Sequence, residues 1–138
     1  MPILNFHLAE GRHSAAQHER LLREGSTYYA EALDSPIERV RAFVTLHRPE
    51  LVALAGVPGA GPAPYFTFLV LEGRPVEQRQ RLLEGLTDLV VDVLGVDRDL
   101  VRGHCLRVEP QDWAIGGVPA SLARRHEIQA RAEQGELQ

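Results

Sequence analysis

The chain shows the same pattern of apolar and polar positions twice, about 60 residues apart. Residues 2–8 place an apolar side chain at alternate positions, as in a strand with one buried face. Residues 65–71 are almost wholly apolar, which predicts a strand buried on both faces. After each segment, apolar residues recur at spacings of three, four and seven, as in an amphipathic helix. Residues 40–46 and 101–108 then predict a second strand in each half.

The residues that would begin and end the two helices support this interpretation. Ser14 is suited to cap the first helix, and Pro75 to occupy the first position of the second. Asp34 with Pro36, and Gly95 in the second half, are typical of helix ends. The pattern in each half is therefore strand, turn, helix and strand.

The two halves also match in sequence. Five residues of the first half recur 62 positions later: Pro2, Phe6, Glu10, Gly11 and Arg12 correspond to Pro64, Phe68, Glu72, Gly73 and Arg74. The match continues at an offset of 61, as far as Val40-Arg41 against Val101-Arg102. Agreement at both ends of a unit of this length indicates an internal duplication rather than a chance tripeptide.

A strand, a crossover helix and a parallel strand form one right-handed unit. We therefore expect an α/β (α+β) fold in which tandem β-α-β units form a four-stranded sheet with two helices on one face. The bare sheet face predicts an oligomer that covers it. We expect one domain at residues 1–120, made of units 2–47 and 64–108, a linker at 48–63 and a closing hairpin at 109–120. The polar tail at 121–138 is expected to be either a frayed helix or disordered.

Composition narrows the class of protein. The 138 residues are 44% hydrophobic and 25% charged, with a formal net charge of -4, which argues against a general nucleic-acid or anionic-membrane partner. The single cysteine, Cys105, allows no internal disulfide, and the six histidines show no metal-binding spacing. No membrane-spanning run or signal peptide is recognisable. We expect a cytoplasmic protein without metal or cofactor.

Two motifs carry a resemblance to a known family. The opening P-I-L-x-F-x-L-x-E-G-R at residues 2–12 and the W-x-I-G-G motif at residues 113–117 resemble 4-oxalocrotonate tautomerase and its relatives in the tautomerase superfamily. The resemblance covers about residues 2–123 and implies the fold shared with macrophage migration inhibitory factor. Double-length members of the superfamily are trimers, so it also implies a homotrimer that acts on a small carboxylate.

In that family the amino-terminal proline is the catalytic base, which identifies Pro2. The role requires removal of Met1, because a proline nitrogen bonded to a preceding residue is a tertiary amide with no available lone pair. Pro64 occupies the equivalent position of the second half but lies within the chain, so it can only be structural. α-Amino groups titrate at about 7.7–8.0 in model peptides, and an apolar pocket with arginines nearby would lower that value.

The resemblance also implies roles for four arginines and a tryptophan. Arg74 or Arg12 would bind the substrate carboxylate, with Arg74 favoured because the arginine comes from another unit than the proline. Arg41 or Arg102 would polarise the keto or enol oxygen, and Trp113 would wall the pocket. The predicted catalytic residues are thus Pro2, Arg74 and Arg41, and Arg12, Arg102 and Trp113 are predicted to bind substrate.

The expected activity is keto–enol or double-bond isomerisation of a small 2-oxo or 2-hydroxy acid. Two alternatives stay open: decarboxylation of a 3-oxo acid such as malonate semialdehyde, and a non-catalytic binding module. The segment His47-Arg48-Pro49 resembles the malonate semialdehyde decarboxylases, but Arg39 stands where their catalytic aspartate is expected. Ile115 replaces the glutamate with which the related dehalogenases activate water.

Overall fold

The computed structural model describes residues 2–137, with side chains as far as residue 135. Met1, which must be removed if Pro2 is to act as a base, lies outside the described residues. The elements in chain order are β1 Ile3–Ala9, α1 Ala15–Leu33, β2 Arg41–His47, β3 Ala53–Leu54, β4 Val57–Pro58, β5 Tyr65–Leu71, α2 Val76–Leu94, β6 Arg102–Val108, β7 Ala114–Ile115, β8 Val118–Pro119, α3 Ala120–Ala123 and α4 Arg125–Leu137.

The main sheet has four strands in the order β2-β1-β5-β6. Within each unit the two strands are parallel, and the units meet where β1 and β5 pair antiparallel, with Leu4 opposite Phe68. Helices α1 and α2 pack together over one face of this sheet, and their apolar stripes bury the alternating residues of the central strands. The predicted architecture of two fused β-α-β units is confirmed.

The helix ends follow from local chemistry. Ser14 accepts a hydrogen bond from the Gln17 backbone, and the Gln17 side chain accepts one from the Ser14 backbone, which forms a capping box for α1. Asp34 and Gly95 adopt the left-handed conformation that ends α1 and α2. One prediction was wrong in detail: Pro75 is the N-cap of α2, one position before the first helical residue.

Within one chain, the prediction that residues 65–71 are buried on both faces holds only for the face beneath the helices, and cover of the other face depends on the assembly. Side chains of β5 alternate between buried and partly exposed, because within one chain no second layer covers the sheet face opposite the helices. This open face includes Phe43 at 48%, Tyr65 at 38% and Leu106 at 37% exposure. Burial in a β-strand depends on what packs above it, and an apolar run alone does not specify that.

The duplication extends further than the strand-helix-strand pattern predicts. Hairpin β3–β4 lies within residues 48–63, and hairpin β7–β8 follows the second unit. The pairing of Ala53 with Pro58 recurs as Ala114 with Pro119, again 61 residues later. The tail then continues as helices α3 and α4. Among the described helices, none is both long and apolar enough to cross a bilayer.

One cross-strand pair shows how the two units compensate for different side-chain sizes. Phe66 faces Gly103 across β5 and β6, where the first unit pairs Leu4 with Ala42. A Cβ atom built on Gly103 would lie 2.3 Å from Cζ of Phe66, which is 1% exposed. The larger ring of the second unit therefore requires a glycine beneath it.

We expect Gly103→Ala to lower the free energy of unfolding by about 1–3 kcal/mol, because the buried ring has no space into which to move. Adding Phe66→Leu to Gly103→Ala recreates the Leu–Ala pair of the first unit, so the double variant should lose less stability than the sum of the single changes. Denaturant titrations at one protein concentration measure both. Simple additivity of the two costs would contradict this account of the packing.

Candidate active site

Pro2 lies buried at the start of β1, in the middle of the sheet. Its carbonyl accepts a hydrogen bond of 3.0 Å from the backbone N–H of Arg41 at the start of β2. Since β1 and β5 are antiparallel, the beginning of β1 lies beside the end of β5, where the turn carrying Arg74 leaves the sheet. The strand register thus brings the first residue of one unit to the turn arginine of the other.

A cleft forms around Pro2 from residues of β5, the end of α1, and α4. We call it the Pro2 cleft; it is lined by Pro2, Leu33, Ser35, Arg39, Leu69, Val70, Leu71, Arg74, Glu127 and Arg131. Its cavity volume is about 20 Å³, enough for about one water molecule. The apolar walls come from the sheet and α1, and the charged groups stand at the rim.

Arg74 is held rigidly at this rim. Its Nη1 donates to the carbonyl of Leu33 at 2.8 Å, which satisfies a free carbonyl at the end of α1, and lies 3.5 Å from Oε1 of Gln78. Burial, and then the positive charge of Arg131, lower the pKa of Arg74 to about 10. Arg74 is therefore still a cation at neutral pH, and its hydrogen bonds fix where that charge lies.

Arg39 and Glu127 form a two-point ion pair across the cleft rim. Nη1 and Nη2 of Arg39 donate to the two carboxylate oxygens of Glu127 at 3.0 and 2.9 Å. This fork-to-fork geometry is the strong form of a guanidinium–carboxylate contact. The hydrogen bond from Arg39 lowers the pKa of Glu127, so the carboxylate is ionised at neutral pH.

Arg131 completes a group of three guanidinium side chains at the cleft. It is half-buried on α4, and its charge lowers the pKa of Arg74 as noted above. Burial, and then the positive charge of Arg39, lower the pKa of Arg131 itself, while Glu127 acts in the opposite direction. Within the described residues, Glu127 is the only acidic side chain among those that line the cleft. Among the described side chains of the lining, cationic groups therefore outnumber acidic ones three to one.

A second, more open groove of about 500 Å³ adjoins the Pro2 cleft and contains two other predicted site residues. Arg41 and Trp113 both line it, together with Ile3, Arg39 and Arg124. Arg41 donates to the carbonyl of Arg39 at 3.0 Å, which directs its guanidinium toward this groove. Arg39 lines both the Pro2 cleft and this groove.

The structure places Arg12 and Arg102 away from Pro2. Arg12 follows the far end of β1 and donates to the carbonyl of Gly59 at 3.3 Å. Arg102 donates to the carbonyl of Asp99 at 2.6 Å, and its backbone N–H bonds to Pro64 as that of Arg41 bonds to Pro2. Of the predicted site residues, Arg74 thus lies in the Pro2 cleft within one chain, and Arg41 and Trp113 lie in the adjoining groove.

Three residues of the cleft rim were missing from the predicted site: Arg39, Glu127 and Arg131. Glu127 and Arg131 are four residues apart, so they lie on the same face of α4. That spacing could have marked a functional helix face in the tail. The pairing of Arg39 with Glu127 joins residues 88 positions apart, and no local pattern indicates it.

Among the described residues, no group of three or more histidine, cysteine, aspartate or glutamate side chains could hold a metal ion. On the open sheet face, Nδ1 of His7 lies 3.0 Å from Nε2 of His47. Burial, and then the charge of His47, lower the pKa of His7. The rings of His47 and Tyr65 both stack on His7, so this patch is part of the sheet surface.

Comparison with known proteins identifies relatives of the two units and of the fold. A family model described as "Tautomerase enzyme" matches residues 64–123. A probable tautomerase of Ralstonia nicotianae is 34% identical over 61 residues, which are 44% of this chain and 87% of that protein. A 2-hydroxymuconate tautomerase of Pseudomonas putida is 49% identical over 45 residues, 33% of this chain and 70% of that protein. Each relative is matched by about one of the two units.

Among solved structures, a fused 4-OT protein described as a wild-type symmetric trimer superimposes with a TM-score of 0.81 and 28% identity. The superposition covers 98% of that chain and 88% of this one. The double-unit architecture is therefore shared, while about a tenth of this chain has no counterpart there. The family model ends at residue 123, immediately before α4.

Proposed function

Because this chain belongs to the tautomerase family of isomerases, we propose that it catalyses keto–enol or double-bond proton transfer on a small 2-oxo or 2-hydroxy carboxylic acid. Pro2 is the general base, and Arg74 and Arg41 hold and polarise the substrate. The observation that carries this proposal is the position of Pro2, buried in a cleft whose rim is cationic. The relatives named above support the reaction class.

Proton transfer of this kind requires a base close to neutrality and stabilisation of the negative charge that develops on oxygen. With Met1 removed, the Pro2 nitrogen is a secondary amine with a lone pair. The surrounding apolar walls and guanidinium groups disfavour its protonated form, so the amine is available as a base. It removes a proton from an oxygen or carbon of the substrate and returns the proton to a different carbon.

The arginines hold the substrate while the proton moves. Arg74 is fixed by its bond to Leu33, so its remaining N–H groups form a preset carboxylate-binding fork. Arg41 and Trp113 border the adjoining groove, where the part of the substrate that carries the keto or enol oxygen would lie. A guanidinium beside that oxygen stabilises the enolate that forms when the proton leaves. Arg12 and Arg102 would act only at a site formed between subunits.

The decarboxylase alternative is less well supported by the cleft. Arg39, at the position where the decarboxylases are expected to carry aspartate, contributes a second cation to the rim. The catalytic aspartate that the resemblance to the decarboxylases would require is therefore absent from this position.

Turnover of two substrates separates these alternatives. We expect the protein without Met1 to convert phenylenolpyruvate to its keto form, and to leave malonate semialdehyde unchanged over the same period. Ultraviolet absorbance follows the first reaction, and release of CO₂ follows the second. Preferential decarboxylation would overturn the proposed reaction. If neither substrate were converted, and 2-hydroxymuconate were also inert, the fold would serve here as a binding module.

We also propose a homotrimer. The open sheet face exposes Phe43, Tyr65 and Leu106 within a single chain, and such a face needs cover in water. The fused 4-OT relative described above is a trimer, which supports the same assembly here. Pairing of subunits across this face would bury these side chains.

A further inference from the structure

One tyrosine of helix α1 brings a polar atom into the core. Tyr29 is 0% exposed, and among the described residues no other side chain of the buried core contains a polar atom. Its hydroxyl donates a hydrogen bond to the backbone carbonyl of Leu69 on β5, and its ring packs edge-on against Phe68. A buried hydroxyl without a partner is costly, so this bond explains how the core tolerates the hydroxyl but not why the hydroxyl is there.

The internal duplication provides a comparison for this residue. At the offset of 61 residues Tyr29 corresponds to Val90 on α2, which is 1% exposed and also belongs to the core. The fold therefore accepts an apolar side chain at this position of the repeat. The counterpart of Leu69, 62 residues earlier, is His7, which pairs with the residue that follows Pro64. Of these two equivalent places in the sheet, the one with the hydroxyl is the one near the amino-terminal proline.

Leu69 connects Tyr29 with the Pro2 cleft. Pro2 and Leu69 both line this cleft, and the antiparallel register of β1 and β5 places Leu69 beside Ile3, the residue after Pro2. Burial raises the pKa of Tyr29, although the positive charge of Arg74 acts in the opposite direction. The hydroxyl therefore stays protonated at neutral pH and is available as a hydrogen-bond donor behind the cleft wall.

The carbonyl that Tyr29 engages would otherwise act on the proline amine. A protonated secondary amine has two N–H groups, and a carbonyl that accepts a hydrogen bond from one of them favours the cation and raises the pKa of the amine. When a hydroxyl already donates to that carbonyl, one of its lone pairs is used and the oxygen attracts a second donor less. The hydroxyl of Tyr29 thus acts in the same direction as the apolar walls, which disfavour the protonated amine.

We propose that Tyr29 is a positioning residue for Pro2: its hydroxyl engages the carbonyl of Leu69, so that this carbonyl does not hold the protonated form of the proline amine. This inference rests on the proposed function, since it assumes that the free amine of Pro2 is the base. It assigns a role to a residue that lies behind the cleft wall. Substitution of Tyr29 leaves unchanged the charged groups that line the cleft on the other elements: Arg39 before β2, Arg74 after β5, and Glu127 and Arg131 on α4.

The pH dependence of Tyr29→Phe tests this proposal, because phenylalanine keeps the ring contact with Phe68 and removes only the hydroxyl. The ascending limb of the kcat/KM profile for phenylenolpyruvate reports the pKa of the Pro2 amine in the free enzyme, and we expect it to move up by about 0.5–1 pH unit. A raised pKa keeps the amine protonated, and therefore unable to act as a base, up to a higher pH. Below the limb the variant should be about three- to tenfold slower, and above the limb it should match the wild type.

Tyr28→Phe is the matched control. The hydroxyl of Tyr28 also donates to a backbone carbonyl, that of Arg81 at 2.8 Å, but this solvent-exposed contact joins the two helices and should leave the limb where it is. NMR titration of the isotopically labelled Pro2 nitrogen, in the full chain without Met1, measures the same pKa without substrate. Failure of enol turnover alone would therefore count against the proposed reaction and not against this inference. An unchanged or lowered pKa in Tyr29→Phe, an equal shift in Tyr28→Phe, or a rate loss that is the same at every pH would each overturn the proposal.

Discussion

A protein that retains a residue ahead of Pro2 is expected to lose about 10²- to 10⁴-fold in kcat/KM for enol substrates, the usual contribution of a positioned general base. An N-terminal extension achieves this without changing any side chain of the cleft. The extension converts the Pro2 nitrogen into a tertiary amide, which cannot accept a proton. Initial rates with phenylenolpyruvate, on preparations whose N-termini are defined by intact mass, measure the loss.

Two controls separate loss of the base from disturbance of the fold. Removal of the extension should restore the rate, since the free secondary amine reappears in an otherwise identical protein. Circular dichroism spectra and a Tm that match those of the trimmed protein would show that the extension leaves the fold intact. Equal rates with and without the extension would show that Pro2 takes no part in the chemistry. Pro2→Ala is a weaker test, because it leaves a primary amine at the same position.

Most of the fold could be predicted because the same pattern of strand, helix and strand occurs twice in the sequence. Strand and helix periodicities agree with their caps in both halves, and consistency of this kind is what specifies a single fold. The expected proximity of Pro2 and Arg74 has the same origin: the pseudo-symmetry of two units makes the end of one first strand adjoin the beginning of the other. The structure brings these two residues into one cleft, and their catalytic roles stay proposals.

The features that sequence reasoning missed depend on long-range packing. An apolar run such as residues 65–71 does not specify how many layers cover it. Within one chain, the side chains on one face of this strand are only partly buried. Helix α4 has no apolar stripe, so a helix docked through Glu127 could not be told from a solvated tail. Local patterns report propensity and amphipathicity, whereas a polar contact between residues 39 and 127 is determined by where the folded chain places them.

The duplication also provides a matched pair of variants for the carboxylate site. We expect Arg74→Gln to lower kcat/KM about 10- to 100-fold, because a buried, charge-assisted bond to a carboxylate contributes about 1.5–3 kcal/mol. Arg12→Gln is the equivalent change in the other unit and should alter kcat/KM by less than about twofold, since Arg12 contacts Gly59 at the opposite end of the sheet. Rates at low substrate concentration measure both ratios.

Arg74 also satisfies the carbonyl of Leu33, so part of any loss could come from a looser end of α1. Arg74→Lys distinguishes these contributions: lysine keeps a charge that can reach the same carbonyl, but it cannot bind a carboxylate with a two-pronged fork. A lysine variant that matches the wild-type Tm yet loses most of the activity would identify carboxylate binding as the role of Arg74. If Arg12→Gln proved the more damaging change, Arg12 from a neighbouring subunit would bind the carboxylate instead, and the trimer would have to assemble the site differently.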